Sequence, residues 1–392
     1  MAERYDQVRA ALDFSEFEIP RAQALSDADY PNYLAEQLNK YNAYYNQVLR
    51  PLIETEDGMP FGEGSEMNVP ILHTPLHKTI CTLSNGLIQT IEHYYNGRVI
   101  QAAETFKNVL DDIQAIYLLT AKSLPEGVTF YRSRTRHPGE QHFTREDLFH
   151  NPFENRGRVS TSRYSIPGLP ALYLGDSVYV CWEETRQSRI DNLYFSRFQN
   201  MDTAKVVKIE RIQDFLADIE APRDGATRGK HLFFLVRYLT VFPLCIACSI
   251  KTRTDGDTFK PEYILPQLLL QYVTAAKGVA GIKFPSTRVD YSKIDGISAY
   301  NYVFPVKKSR SSGYCRELVK LFSLTAPTSL ELERLMSYSD LKTSSPADVA
   351  EAFNSSKDLE LVEGVRRSYF NSAFGYLELL LKYRHLDRLV MP

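Results

Sequence analysis

Apolar residues recur at helical spacing through the first third of the chain. Tyr33, Leu34, Leu38, Tyr41 and Tyr45, with Gln37 among them, return every three or four positions and predict a helix over about 26–53. Ser26 and Asp27 are its candidate caps. An acidic, glycine-bearing stretch over 54–66 follows. A second helical block runs from about Leu76 to Tyr95, stops at Asn96-Gly97 and resumes from Arg98 to about Leu119. Asn-Gly is a strong turn signal, so the two parts read as a helical hairpin. Leu124-Pro125-Glu126-Gly127 marks a boundary, after which strand-like runs replace the helical period.

Val128 to Arg132 is the first strand-like run. Ala171 to Leu174, bounded by Pro170 and Gly175, has the profile of a short strand. Its side chains alternate, so Ala171 and Tyr173 share one face and Leu172 and Leu174 the other. Asp176 or Ser177 can cap the helix that follows, because either side chain can accept from an orphan first-turn amide. On that helix Cys181 and Glu184 lie three apart and near one face, while Glu183 goes with Tyr179. Further along, Lys205–Ile209 is strand-like, His231–Leu239 helical, and Leu244–Ile250 reads as a buried strand. Glu262–Lys277 reads as a helix, with Pro266 suited to its first turn and Gly278 to its exit. Strands are expected near 281–285 and 299–306, then a linker over Lys307–Gly313. Beyond the linker helices are expected, one starting at Ser345-Pro346 and one or two over Leu359–Tyr383.

A length of 392 residues exceeds the roughly 100–200 typical of one domain, so a core domain with appendages is expected. The net charge of −2 lacks the basic excess of a nucleic-acid binder. Five cysteines do not make a disulfide framework, which suits a reducing cytoplasm. Residues 1–20 carry acids and no apolar signal region, and no run approaches the ~18 apolar residues of a membrane span. A soluble cytoplasmic protein with no membrane or nucleic-acid partner is expected. Cys245-x-x-Cys248 sits in an apolar run without a second pair and reads as structural. His73 and His77 are separated by Thr74-Pro75 and lack the glutamate of a zinc helix, so no metal is expected. Gly225–Lys230 falls one residue short of a phosphate-binding loop, and no GxGxxG follows a strand. The clustered Tyr30, Tyr33, Tyr41, Tyr44 and Tyr45 suit core packing first and a partner face second, and homo-oligomerisation stays open.

The central pattern Gly157-Arg158, Pro167-Gly168, Tyr173-Leu174-Gly175-Asp176-Ser177 and Cys181-x-x-Glu184 resembles the RES domain family. Arg132 in Thr129-Phe130-Tyr131-Arg132 matches the family's early arginine. Ser286 in Gly281–Ser286 matches its serine, and Asn301 in Tyr300–Phe304 a closing asparagine-plus-strand element. The resemblance implies an α+β fold, with a small β core and helices like that of ADP-ribosyltransferases. N- and C-terminal helical segments would flank it: a helical region over 1–122, a RES-like domain over 123–308 with an insertion at about 187–260, and a second helical region over 313–392. It also implies an enzyme that consumes NAD as substrate, with no separate cofactor and with inorganic phosphate as a candidate co-substrate. A toxic activity restrained by an antitoxin or regulatory partner is implied too, although the long ends depart from the compact toxins.

That chemistry assigns roles to particular side chains. Nicotinamide leaves ribose with its positive charge neutralised, through an oxocarbenium-like transition state, so a carboxylate placed near the ribose helps only where the charge develops. Glu184 is the candidate, with Glu183 its rival; the ordinary role of either is a solvated helix glutamate. Arg132 would clamp the pyrophosphate or a ribose edge through its forked donors, and Arg158 could share the task. Tyr173 would stack on nicotinamide or adenine. Tyr131 points away from Arg132 on a regular strand and joins the site only if the strand bends. Ser286 would orient a phosphate or ribose hydroxyl, with Asn301 beside the substrate. Transfer of ADP-ribose to a protein or nucleotide, or an inactive core serving as a binding module, are the alternatives.

Overall fold

The computed structural model describes residues 2–12, 15–23, 29–55, 75–120, 123–221, 228–254, 256–335 and 356–390. Ser26, Asp27, the acidic stretch beyond Thr55, His73, the glycine turn at 225–227 and Ser345-Pro346 lie outside them. The chain forms two compact units: residues 1–122 with 206–277, and 123–205 with 278–392. The fold class is α+β.

The first unit is built of helices. Tyr30–Tyr44 starts at Asp29, whose carboxylate accepts from the Asn32 amide, and continues through a π turn, Tyr45–Leu49, to Ile53. The stripe of Tyr33, Leu34, Gln37, Leu38, Tyr41 and Tyr45 is buried along it. Leu76–Tyr95 and Val99–Asp112 make the expected hairpin, with Gly97 in the left-handed region at φ +74°. The second arm is shorter than its period predicts. Gln114 adopts φ 51°, which ends the helix, and a single turn, Ala115–Leu119, restarts after it.

Leu244–Ile250 is not a strand but, as far as Cys248, the end of a long helix, Arg228–Cys248, that runs through Pro243. An unbroken apolar run carries neither period, so spacing alone does not separate a buried strand from a buried helix. The same helix corrects the expectation that no run approaches a membrane span: Lys230–Cys248 is long and apolar enough by composition. Most of that window, 83%, is buried inside the fold, as for a core helix. Cys245 and Cys248 are buried on it, and burial pushes the Cys245 thiol up to about 12. His77 is engaged by Glu54, with its Nδ1 2.7 Å from the carboxylate.

The strands, in chain order, are β1 (Thr129–Thr135), β2 (Ala171–Gly175), β3 (Leu193–Asn200), β4 (Lys205–Lys208), β5 (Val279–Pro285), β6 (Ile294–Asp295), β7 (Tyr300–Pro305), β8 (Phe322–Leu324), β9 (Thr328–Ser329), β10 (Asp358–Val362) and β11 (Val365–Ser368). In the second unit they run β5-β7-β2-β1-β3-β8, with β9 also on β3, and β11-β10-β6 form a second sheet. The pairs with a defined register are antiparallel, among them Thr129↔Gln199 for β1–β3, Gly175↔Asn301 for β2–β7 and Phe284↔Asn301 for β5–β7. Phe130 packs against Tyr302, Phe304 and Phe322 on one side of the main sheet. Tyr131 and Phe195 join Val178, Tyr179, Cys181, Phe374, Leu377 and Leu381 in a separate apolar cluster.

Two spans differ from expectation. Within 187–260, Leu193–Asn200 is β3, which pairs along the whole of β1, while 206–260 belongs to the first unit. Residues 313–392 are not simply helical: Leu359 lies in a β-hairpin, and only Ala373–Lys382 of 359–383 is α-helix. Gly364 turns that hairpin at φ +75°, a conformation glycine adopts without steric cost.

Gly281 on β5 faces the backbone of β7 so closely that a Cβ there would sit 2.4 Å from the Val303 carbonyl oxygen. Gly281→Ala is expected to destabilise the fold by about 1–3 kcal/mol, the usual scale of overpacking. Gly157→Ala, with nothing within 4 Å of its Cβ, is expected to be near neutral. Denaturant unfolding of the two variants checks the difference.

Candidate active site

Ser177 opens the Val178–Glu184 helix, its hydroxyl accepting from the Val180 amide at 3.1 Å. Of the two candidate caps it is Ser177 that is used. Seven residues bring the chain from this cap to Glu184. Glu183, the rival, is buried and bonded to Tyr179 and Gln187. Glu184 stays open to solvent, with about a third of its side chain (36%) exposed.

Three other side chains converge on its carboxylate. Ser286, just past β5, donates to Oε1 at 2.7 Å, and the Asn301 amide on β7 donates to the same oxygen at 2.6 Å. The Arg288 guanidinium stands 3.6 Å from Oε2. Ser286 is itself pinned: its amide donates to the Ala299 carbonyl, its Oγ accepts from the Arg288 amide, and its carbonyl accepts from the Tyr291 hydroxyl. The side chain of Glu184 is therefore held in one direction, with Oε2 left for a further donor. Arg288 was missed by sequence reasoning; the available signal was a cation two residues beyond Ser286.

The remaining expected residues lie elsewhere. Arg132 alternates with Tyr131 on β1 and so lies on the Phe130 side. It is partly buried and donates to the Tyr173 carbonyl at 3.0 Å, and burial pulls its guanidinium down to about 10. It makes no bond to Glu184, Ser286 or Asn301, because β1 is a regular strand that turns it away from them. Tyr131 is buried in the apolar cluster beneath the Glu184 helix; the strand does not bend to bring it to the carboxylate. Tyr173 is half-buried and shares a hydrogen bond with Ser165. Arg158 is exposed at the end of a 3-10 turn, Phe153–Arg158. Arg163, also missed, is buried and donates to Thr287 Oγ1 at 3.2 Å, one residue beyond Ser286.

Asp176, the unused cap, turns to the strand side. Its Oδ2 accepts from the Ser298 hydroxyl and from the Tyr300 amide at 3.0 Å. Its Oδ1 is buried without a hydrogen-bond partner among the described residues. Burial pushes this carboxyl up to about 6, against the pull of Ser298, the Tyr300 amide and Lys283.

Comparison with known proteins agrees with the central pattern. The RES domain family matches residues 129–304. A Bacillus subtilis (strain 168) protein named "Putative toxin YopC" is 31% identical over 314 residues, covering 77% of this chain and 69% of its own. A crystal structure of the M. tuberculosis MbcT-MbcA toxin-antitoxin complex aligns at 12% identity with a TM-score of 0.28, over 56% of this chain and 95% of that one.

A carboxyl raised on folding binds its proton more tightly in the folded state, so the folded protein loses stability as pH rises through the interval from 3.8 to about 6. Asp176→Asn keeps an acceptor for Ser298 and Tyr300 but never ionises. Its stability advantage over the natural protein is expected to grow from pH 4 to pH 6, level off above at about 3 kcal/mol, and vanish in more acid solution. Denaturant unfolding across pH 4–8 measures it.

Proposed function

This chain belongs to the RES domain family, and on that premise we propose that it cleaves the nicotinamide–ribose bond of NAD. The observation that carries the proposal is the Glu184 carboxylate, held through Oε1 by Ser286 and Asn301 on a side chain about a third exposed, with the Arg288 guanidinium 3.6 Å from Oε2. In the reaction the C1–N bond breaks and its electron pair goes to the nicotinamide ring, neutralising the ring's positive charge. A phosphate or water oxygen then forms the new bond to C1, and water or phosphate releases its proton to solvent. Oε2 would accept from a ribose hydroxyl and oppose the positive charge growing on the sugar, a contact strongest in the transition state.

Ser286 and Asn301 keep the carboxylate from rotating away, so little reorganisation is needed when the charge develops. Arg288 supplies the cation that the sequence reading assigned to Arg132, and its position beside Glu184 suits it to the pyrophosphate or to an incoming phosphate. Tyr173 is kept as the stacking surface and Arg158 as an outer cation. NAD is thus the substrate, inorganic phosphate the candidate co-substrate, and no separate cofactor is invoked. The name of the B. subtilis relative supports a toxic role; action in the cytoplasm and restraint by a protein partner belong to the same proposal.

The test incubates the purified protein with NAD, with and without inorganic phosphate, beside Glu184→Gln. Nicotinamide release is expected, falling by about 10²-fold or more in the variant, as for loss of a preorganised electrostatic contact. Phosphate dependence identifies a phosphorylase and its absence a hydrolase. Label from NAD appearing on protein or nucleotide would mean transfer to a macromolecule instead. NAD left intact at high enzyme concentration, with acceptors present, would refute the proposal.

A further inference from the structure

The helix that carries Glu184 has seven residues, Val178–Glu184. A helix this short has no appreciable stability of its own in water, so its surroundings decide where its end points. Its first-turn amides also lack partners within the helix. Ser177 takes the Val180 amide. The other two are taken by the C-terminal segment. Glu378 Oε1 accepts from the Val178 amide at 2.7 Å, across 200 residues of sequence. The Tyr369 hydroxyl donates to that same oxygen at 2.6 Å and is hydrogen-bonded by the Tyr179 amide.

Packing reinforces this second cap. The Phe374 ring lies 5.2 Å from Trp182 and 5.5 Å from Tyr179, centroid to centroid. Leu377 and Leu381, fully buried, belong to one cluster with Val178, Tyr179, Val180 and Cys181. Glu378, Tyr369, Phe374, Leu377 and Leu381 all lie beyond residues 129–304, the span that the family matches.

We infer that Glu378 and Tyr369 are positioning residues: together they cap the Glu184 helix from outside and set its depth and rotation, hence the reach of Glu184 to Ser286 and Asn301. The C-terminal segment is on this account a part of the catalytic apparatus that touches no substrate. The inference rests on the proposed NAD cleavage for its activity readout, while the cap is a separate claim with its own measurement.

Three variants test it: Glu378→Leu, Glu378→Gln and Tyr369→Phe. Amide hydrogen exchange over residues 178–184 reads the cap, and NAD cleavage reads its consequence. Glu378→Leu is expected to speed exchange there by about tenfold or more and to lower kcat by about tenfold or more, with KM within about threefold, because small misplacements of a catalytic group are costly. Glu378→Gln keeps an oxygen acceptor and is expected to stay within about threefold of the natural protein in both readouts. Tyr369→Phe removes one hydroxyl and is expected to fall between them, so it decides the question should Glu378→Leu fail to fold. Unchanged exchange over 178–184 in Tyr369→Phe and in folded Glu378→Leu would overturn the inference, as would Glu378→Gln matching Glu378→Leu in damage. A natural protein inert toward NAD would refute the proposed reaction, and the exchange measurement would still decide the cap.

Discussion

Two hydrogen bonds meet on one oxygen of Glu184, and the arrangement of the site depends on them. A partly exposed helix glutamate ordinarily samples several rotamers, each with its own direction. Here Ser286 and Asn301 select one. The donors come from the end of β5 and from β7, so their meeting depends on the antiparallel register that sets Phe284 opposite Asn301. A slip of one residue would send the Asn301 side chain to the other face of the sheet. The close approach of Gly281 to Val303 belongs to the same pairing.

The charges around this carboxylate are sorted by depth. Arg288 meets Oε2 where both side chains are partly open to water, with 25% and 36% of their surfaces exposed. Such a pair yields readily to a competing anion, because screening keeps its net attraction small. Arg132 is withdrawn from water and tied to a main-chain carbonyl. A guanidinium so placed braces β1 against β2 and has little freedom to follow a ligand. Asp176 is the acidic counterpart, carrying two hydrogen bonds on one oxygen and, among the described residues, none on the other.

The helix between these groups is anchored from two directions. Ser177 belongs to the helix's own chain start, whereas Glu378 and Tyr369 approach from the far end of the sequence. Both ends of the chain had read as helical appendages to a central domain. The C-terminal part instead adds β8 and β9 to the main sheet and side chains to the cluster beneath Glu184.

What the sequence alone determined is what depends on near neighbours. The stripe from Tyr33 to Tyr45, the Asn96-Gly97 turn and the short strand at Ala171–Leu174 all follow from period and turn chemistry over a few residues, whereas the choice of Ser177 over Asp176 as cap and of Glu184 over Glu183 as the open carboxylate was made by the structure. Ser286 and Asn301 were legible through the family pattern, with no local signal that they meet. The apolar run at 244–250 misled because burial on every side erases the period that tells helix from strand. The hairpin over 358–368 was hidden because its pairing with β6 lies more than sixty residues away in sequence. Arg288 beside Glu184, Arg132 turned toward Tyr173, and Glu378 on the Val178 amide were decided only by tertiary structure. Each depends on a strand register or a helix docking, and those are fixed by contacts between segments that no local window of sequence contains.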